Sequence, residues 1–528
     1  MKTKLILAVA VGSLGAMACA SQSKSVKPAP APQAAAAAPD AGAPKYAQTP
    51  DAPFRAQKPA PLPGTPHFEA PVPVQKKLSN GLSVLINENH QVPLVVTELV
   101  VKTGVNGNPI KQPGLAEFTA ALLDEGTKKR TAMEVAEQLE NLAANLSVGA
   151  QQDSTRVHLN CLTETLPAAL DIMADVSLHP SFKPADVARV KKAYLTELAQ
   201  RQAIPAYIAQ DTANRVLYGE QNPWGQPEGG TPEVVSKLTG KELAKFHATY
   251  FVPQNALLTV SGDVKPDEVV ALLEKSFGHW KGKAPKEKPA PLPPPATARR
   301  IDVVDHPGSQ SRVVVLHRML TAKNPDVVPM KTANYILGGL FSSRLNLNLR
   351  EDKAYSYGVF SRVSFNDRTG VFSASGNMVA QHTADAVSEM EKELTRFSDG
   401  KVSDEELGAA KSAYVRSLPS LLETNDAVAS SFGTLAIQGL PLDYYAKLPA
   451  QVEAVSAQDV ARVAQQYVKP ASWPVVIVGP MADQKDKLTA LNLGPVQVLP
   501  APGSAPSAPV HGQPAPTASN KPKAPVHR

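Results

Sequence analysis

Cysteine is nearly absent from this sequence, since Cys19 and Cys161 are the only two among 528 residues. If Cys19 is lipidated or removed, Cys161 has no partner, which excludes a disulfide within the chain. Cys161 lies in the alternating segment 156–162. We therefore expect a buried thiol that behaves as a small apolar side chain.

Catalytic patterns are also scarce. The eleven histidines are scattered and no two stand four residues apart, which excludes the pair of metal ligands that one helix face can present. No Gly-x-Ser-x-Gly segment occurs, so a serine nucleophile of that type has no support. Beyond the N-terminus, no apolar run approaches the roughly 20 residues that a membrane-spanning helix needs.

Proline, by contrast, is abundant but confined. Of the 49 prolines, 27 lie in segments 20–75, 281–295 and 500–528, a composition typical of linkers and tails. The basic residues behind the net charge of +6 are concentrated in the same segments. Because the rest of the chain then carries no basic stripe, we exclude nucleic acid as a partner.

The N-terminus has the pattern of a secretory signal. Lys2 and Lys4 precede an apolar run that ends in Ala-Met-Ala-Cys19, which resembles a bacterial lipobox. We predict a lipoprotein signal peptide at 1–19, lipidation of Cys19 and a Pro/Ala-rich tether at 20–73. The chain would face the periplasm from the cell envelope, at the outer membrane since no aspartate follows Cys19. If the lipobox is not used, it would be secreted to the periplasm.

Two stretches of the chain resemble each other at a nearly constant offset. Residues 191–194 (Lys-Lys-Ala-Tyr) correspond to residues 411–414 (Lys-Ser-Ala-Tyr). Thr239 and Ser456 each precede an acidic residue by three positions, as in a capping box at a helix start. These repeats predict two homologous halves.

Hydrophobic periodicity switches between 2 and 3.6 residues inside each half, which indicates an α+β fold. We predict an N-terminal domain at 74–280, a Pro/Lys linker at 281–300, a C-terminal domain at 301–499 and a disordered tail at 500–528. Each domain is predicted as a sheet packed on helices. Predicted helices include 113–123, 131–145, 184–201, 331–337 and 403–417, and predicted strands include 94–102, 156–162 and 371–375.

Short motifs in a fixed order give the chain a family resemblance. It resembles the insulinase/pitrilysin family of zinc peptidases, which implies two α/β-sandwich halves with mostly antiparallel sheets, arranged as a clamshell. The resemblance extends from about residue 74 to residue 479. The motifs that carry it are Asn80-Gly-Leu, Gly114-Leu-Ala, Gly126-Thr-Lys, the segment 250–262, Ser343-Arg-Leu and Leu349-Arg-Glu.

The zinc motif of that family is degenerate here. Members carry H-x-x-E-H after Gly-Leu-Ala, with two zinc ligands and a glutamate that polarises the metal-bound water. In this chain the five positions, 117–121, place Glu117 at the first ligand, Ala120 at the base and Ala121 at the second ligand. Glu197 lies near the position of the distal glutamate ligand. Two carboxylates are too few for a catalytic zinc site, so we predict that this chain binds no cofactor.

In the second half, residues 338–358 resemble the substrate-clamping segment of that family and are called the clamp segment below. The resemblance implies that Arg350 and Tyr357, seven residues apart, reach a bound peptide near a zinc ion. A guanidinium can bind a carbonyl or carboxylate, and a phenol can donate to a developing oxyanion. Gly338, Gly339 and Arg344 are predicted to bind substrate.

Other interpretations of these two residues stay open. Arg350 could form a surface salt bridge with Glu351 or Asp352, and Tyr357 could be packed in the core. Tyr355 is a competing tyrosine, although the spacing favours Tyr357.

Loss of the zinc motif with retention of the Arg/Tyr pair favours a two-subunit enzyme. We predict a heterodimer in which a zinc-bearing homologous peptidase cleaves peptides and Arg350 and Tyr357 act in trans. The alternatives are a non-catalytic envelope scaffold or peptide-binding lipoprotein, and an autonomous metallopeptidase with an atypical metal site.

Overall fold

The computed structural model describes residues 68–283 and 289–500 of the chain. The predicted signal peptide with Cys19, most of the predicted tether and the predicted tail after residue 500 lie outside these residues. In the described part, two six-stranded sheets are packed with helices, which confirms the predicted fold of two α/β halves. None of its helices combines the length and the apolar sequence that crossing a membrane requires.

Six strands of the N-terminal half form the first sheet. They are Val74–Lys77 (β1), Ser83–Glu88 (β2), Leu94–Val101 (β3), Asn145–Ala150 (β4), Thr155–Leu162 (β5) and Ala256–Gly262 (β6). Their order is β1-β2-β6-β3-β5-β4, and only the pair β2 and β6 is parallel. Strands β3 and β6 are buried along nearly their whole length, because both faces of the sheet are covered there.

Eight α-helices lie in the described part of the N-terminal half. They are Leu115–Ala120 (α1), Ala132–Asn141 (α2), Leu166–Leu178 (α3), Pro184–Arg201 (α4), Pro205–Tyr218 (α5), Pro232–Val235 (α6), Gly240–Tyr250 (α7) and Pro266–Phe277 (α8). The capping box predicted at Thr239 is confirmed. The predicted helix 131–145 is too long at its C-terminal end, because Ala143 takes a φ of 49° and the chain enters edge strand β4.

The C-terminal half repeats the arrangement. Its strands are Ile301–Asp305 (β7), Gln310–Met319 (β8), Ser356–Phe365 (β9), Gly370–Val379 (β10), Val475–Gly479 (β11) and Val496–Leu499 (β12). Their order is β12-β7-β11-β8-β10-β9, with β7 parallel to β11 and β12 and the other pairs antiparallel. Strand β9 is therefore an edge strand, as β4 is in the first sheet.

The helices of the C-terminal half include two π-helical turns. The α-helices are Val327–Asn334 (α9), Arg344–Asn346 (α10), Thr383–Ser398 (α11), Asp404–Ser417 (α12), Asn425–Gln438 (α13), Tyr444–Ala454 (α14), Ala457–Tyr467 (α15) and Lys485–Ala490 (α16). The predicted helix 331–337 is wrong at both ends, since α9 begins at Val327 and continues as the π turn Tyr335–Gly339. The capping box predicted at Ser456 is confirmed.

Each half contributes one helix to the sheet of the other. Helix α5 packs on β8 and β11, and α13 packs on β3 and β6. The two helices stand 220 residues apart, the offset of the sequence repeat. Polar contacts join α13 to β5, since Arg156 Nη2 donates to Thr434 Oγ1 at 3.1 Å and His158 Nε2 lies 2.9 Å from Asp426 Oδ1. The two halves are thus held together by reciprocal packing.

Candidate functional site

The positions of the degenerate zinc motif lie on the short helix α1 and the residue after it. Gly114, which precedes α1, has a φ of 84°, and a Cβ there would lie 2.4 Å from the carbonyl oxygen of Gly229. Only glycine fits that backbone and that approach. Ala120 is buried in the N-terminal core and Ala121 packs against the same core. The two methyl groups are therefore part of the hydrophobic packing.

The two acidic positions of the motif share one guanidinium. Arg201 Nη1 donates to Glu117 Oε1 at 2.9 Å, and Arg201 Nη2 donates to Glu197 Oε1 at 2.7 Å. Burial alone would lower the pKa of Arg201, but the two carboxylates outweigh it and hold the pKa above its ordinary value. One protein cation is thus shared by the two carboxylates predicted near the metal position and offsets one of their two negative charges.

Zinc does not fit this arrangement. A catalytic zinc site needs three protein ligands with N, O or S donors, whereas the motif offers two carboxylates already bound to Arg201. Among residues 68–283 and 289–500, no three His, Cys, Asp or Glu side chains are grouped so that they could hold a metal ion. We therefore assign no step of a reaction to a metal on this chain.

A pocket of about 440 Å³ opens beside Arg201. Tyr207 lies under the guanidinium, with the ring centre 5.6 Å from Cζ. Burial, helped by the nearby Glu228 carboxylate, raises the pKa of Asp211 to about 7. Burial also raises the pKa of Glu228. The pocket thus holds, next to the bridged pair, two carboxyl groups whose pKa is raised by burial, and that of Asp211 lies near neutral pH.

Of the three residues predicted to bind substrate, Gly338 and Arg344 are engaged in contacts within the chain. Gly338 is buried against β9, and a Cβ there would lie 2.4 Å from Ser361 Oγ. Gly339, the last residue of the π turn, is exposed. Arg344 binds Glu406 with two parallel hydrogen bonds, Nε to Oε1 at 2.7 Å and Nη2 to Oε2 at 2.8 Å. The guanidinium of Arg344 is thus engaged within the C-terminal half.

Arg350 and Tyr357, in contrast, are presented at the surface. Arg350 lies on the π turn Leu347–Asp352, with Cζ 4.4 Å from the ring centre of Phe341 and Nε 3.1 Å from Glu351 Oε1. Tyr357, on edge strand β9, is 87% exposed. Its hydroxyl has no hydrogen-bond partner in the part of the chain that the structure describes. The phenol is therefore free to bind another molecule.

The competing tyrosine has a different environment. Tyr355 is half-buried, and its ring stacks on His382 with the ring centres 4.6 Å apart.

The sequence did not predict the roles of Arg201 and Phe341, and no local motif marks either of them. The only signal was the spacing of four residues between Glu197 and Arg201, which suits an ion pair on one helix face.

The sequence matches two family descriptions in succession. Residues 83–223 match "Insulinase (Peptidase family M16)" and residues 237–414 match "Peptidase M16 inactive domain". Together the matches cover more than half of the 528 residues.

Two curated relatives and one solved structure are similar over most of the chain. The "Non-peptidase homolog YmxG" of Helicobacter pylori is 25% identical over 380 residues, 71% of this chain and 87% of that protein. The "Mitochondrial-processing peptidase subunit beta" of Bos taurus is 23% identical over 420 residues, 78% of this chain and 84% of that protein. A peptidase M16 inactive domain from Pseudomonas fluorescens has a TM-score of 0.72 at 22% identity, covering 77% of this chain and 98% of that one. The structural likeness shows the fold.

Proposed function

Because the chain belongs to the insulinase (peptidase M16) family, we propose that it is the non-zinc-binding subunit of a two-chain peptidase. A zinc-bearing homologue would supply the hydrolytic centre, and this chain would supply Arg350 and Tyr357. One contrast carries the proposal. The acids of the metal motif are bound by Arg201, while Tyr357 is held almost fully exposed with its hydroxyl unused.

The surroundings of Arg350 suit a group that binds peptide. Stacking on Phe341 orients the guanidinium and reduces the entropy that it would lose on binding. Its contact with Glu351 is a solvent-exposed ion pair, which contributes little stability and can be exchanged for a ligand. Arg350 would bind a peptide carbonyl or carboxylate, and the Tyr357 phenol would donate to the oxygen on which negative charge develops.

Names of relatives support a subunit role. One is described as a non-peptidase homologue and another as a subunit of a processing peptidase. The proposal includes a lipid anchor at Cys19 and a position in the periplasm, where the pair of chains would degrade peptides.

A second candidate function is a non-catalytic envelope scaffold. It is favoured by two exposed apolar side chains near the clamp segment, Phe341, which is 55% exposed, and Phe360, which is 45% exposed.

Peptide cleavage by a reconstituted pair tests the proposal. The tagged chain is co-purified from membranes with its zinc-bearing homologue, and cleavage of a fluorogenic peptide is measured for each chain alone and for the mixture. We expect activity only in the mixture. Tyr357→Phe should lower kcat by about 10²–10³, the usual effect of losing one oxyanion donor.

The neighbouring tyrosine provides a matched control. Tyr355→Phe removes the same atom two residues away and keeps the stack on His382, so the mixture should retain its activity. Arg350→Ala should raise KM or lower kcat without changing association of the chains. If Tyr357→Phe with Arg350→Ala left turnover unchanged, the catalytic role would be lost and the scaffold would stand. Stoichiometric zinc and proteolysis in the isolated chain would contradict both.

A further inference from the structure

A large cavity lies in the C-terminal half, around the edge strand β9. Its volume is about 1090 Å³. Lining residues alternate between the two faces of β9, with Phe360 and Arg362 on one face and Ser361 and Phe365 on the other. Helices α5, α9, α12, α13 and α14 and strands β8 and β10 also contribute residues to the walls. A molecule of peptide size can therefore occupy it.

The charged side chains of the cavity all have one sign. Arg312, Lys331 and Arg362 line it, and none of the lining residues is Asp or Glu. Within residues 68–283 and 289–500, no carboxylate oxygen lies within 4.0 Å of these three cations. Lys331 Nζ instead lies 5.8 Å from the ring centre of Phe365. Cations in a partly buried site without counter-charges favour an anionic ligand.

Neutral hydrogen-bond donors accompany the cations. Tyr335, four residues after Lys331, stacks on Tyr414 with ring centres 5.1 Å apart. Tyr414 is 5% exposed, and its hydroxyl has no hydrogen-bond partner in the described part of the chain. Burial raises the pKa of Tyr414 far above its ordinary value, so the phenol stays protonated and can donate. A buried donor without a partner is costly and points to a missing acceptor.

We propose that this cavity binds an organic carboxylate with an apolar or aromatic body. The carboxylate accepts hydrogen bonds from the Lys331 ammonium and the Tyr414 hydroxyl, and the body contacts Phe360, Leu435 and Leu448, which also line the cavity. Of the two guanidinium groups that line the cavity, that of Arg312 donates to Ser375 Oγ at 2.9 Å and Arg362 is exposed, so the Lys331 ammonium is the cation left to bind the carboxylate. The C-terminus of a peptide and a free carboxylic acid are two sources of this chemistry.

Calorimetric titration of the whole chain, without a partner, tests the site. The probes are Ala-Ala-Leu-Phe with a free C-terminus, the same peptide as its C-terminal amide, and 4-phenylbutyrate. We expect the free acid to bind at least tenfold more tightly than the amide. Tighter binding of the peptide acid than of 4-phenylbutyrate identifies a peptide terminus as the source, and the reverse identifies a free acid. Equal binding of acid and amide, or no binding of either carboxylate at millimolar concentration, overturns the proposal.

Two variants locate the binding to this cavity. Lys331→Met should weaken binding of the acid by about tenfold or more, the effect of losing a charge-assisted hydrogen bond, whereas the control Lys392→Met on the exposed face of α11 should not. Tyr414→Phe should leave the chain at least as stable as the wild type, because it removes a donor without a partner, and should weaken binding. Unchanged affinity in the folded Lys331→Met or Tyr414→Phe variant overturns the proposal.

Discussion

The bridge from Arg201 to two carboxylates makes a quantitative prediction for Arg201→Met. Methionine keeps an unbranched apolar stem but removes the guanidinium and its hydrogen bonds to Glu117 and Glu197. The Glu197 side chain is 53% exposed, so water replaces its lost partner at little cost. The Glu117 side chain is only 20% exposed, so its carboxylate stays partly desolvated without a partner. We expect the free energy of unfolding to fall by about 1–2 kcal/mol, nearly all of it through Glu117.

Urea denaturation of single and double variants separates the two contacts. In the cycle with Glu117→Gln, the coupling energy to Arg201→Met should be about 1 kcal/mol. In the cycle with Glu197→Gln it should stay below about 0.5 kcal/mol, as for an exposed ion pair spaced four residues apart on one helix. A larger coupling to Glu197, or an Arg201→Met variant as stable as the wild type, would refute the reasoning. Zinc titration of Arg201→Met should show no binding, because Ala120 and Ala121 supply no ligand.

Three further predictions concern single groups. Burial lowers the pKa of His247 from 6.5 to about 4. The unfolded state therefore binds the proton more readily, and the free energy of unfolding should fall as the pH drops from about 6.5 to 4. His247→Gln should flatten the pH dependence of the urea midpoint, and the same pH dependence in the variant and the wild type would contradict this prediction. Cys161 is buried and its pKa is raised to about 12, so a thiol reagent at pH 8 should label it only in denaturant; rapid labelling of the native chain would contradict its burial. Arg344→Ala should lower the free energy of unfolding by about 1–2 kcal/mol through loss of the Glu406 contact. The kcat of the mixed peptidase, measured per folded subunit, should not change. A lower kcat would indicate that Arg344 binds substrate, as the sequence predicts.

Local signals predicted part of the elements. The capping boxes of α7 and α15 are confirmed, and the long helix Pro184–Arg201 has the predicted bounds. Strands β4 and β9 are two of the elements that were not predicted. Both are edge strands, so one side of each has no neighbouring strand, and the burial of β4 alternates only between exposed and half-buried positions. Their place in the sheet depends on pairing with β5 and β10 rather than on a strong apolar pattern.

Long-range contacts lie beyond what periodicity can predict. Arg201 meets Glu117 across 84 positions of sequence, and no spacing rule connects them. The same holds for α13, whose contacts with β3 and β6 join residues more than 150 positions apart. The sequence did identify Glu117, Glu197, Arg350 and Tyr357 as positions of interest. Which of them are engaged within the chain, and which are exposed, follows only from the three-dimensional packing.

The exchange of α5 and α13 between the halves has a consequence for how such a chain could arise. Either half alone would leave an uncovered apolar sheet face and an apolar helix with nothing to lie on, and both are stabilised only when a second, similar half is present. A polypeptide of half this length would therefore need a twin before it could be stable. The present molecule supplies that twin within one chain, because each of its two similar halves covers the sheet of the other with one helix.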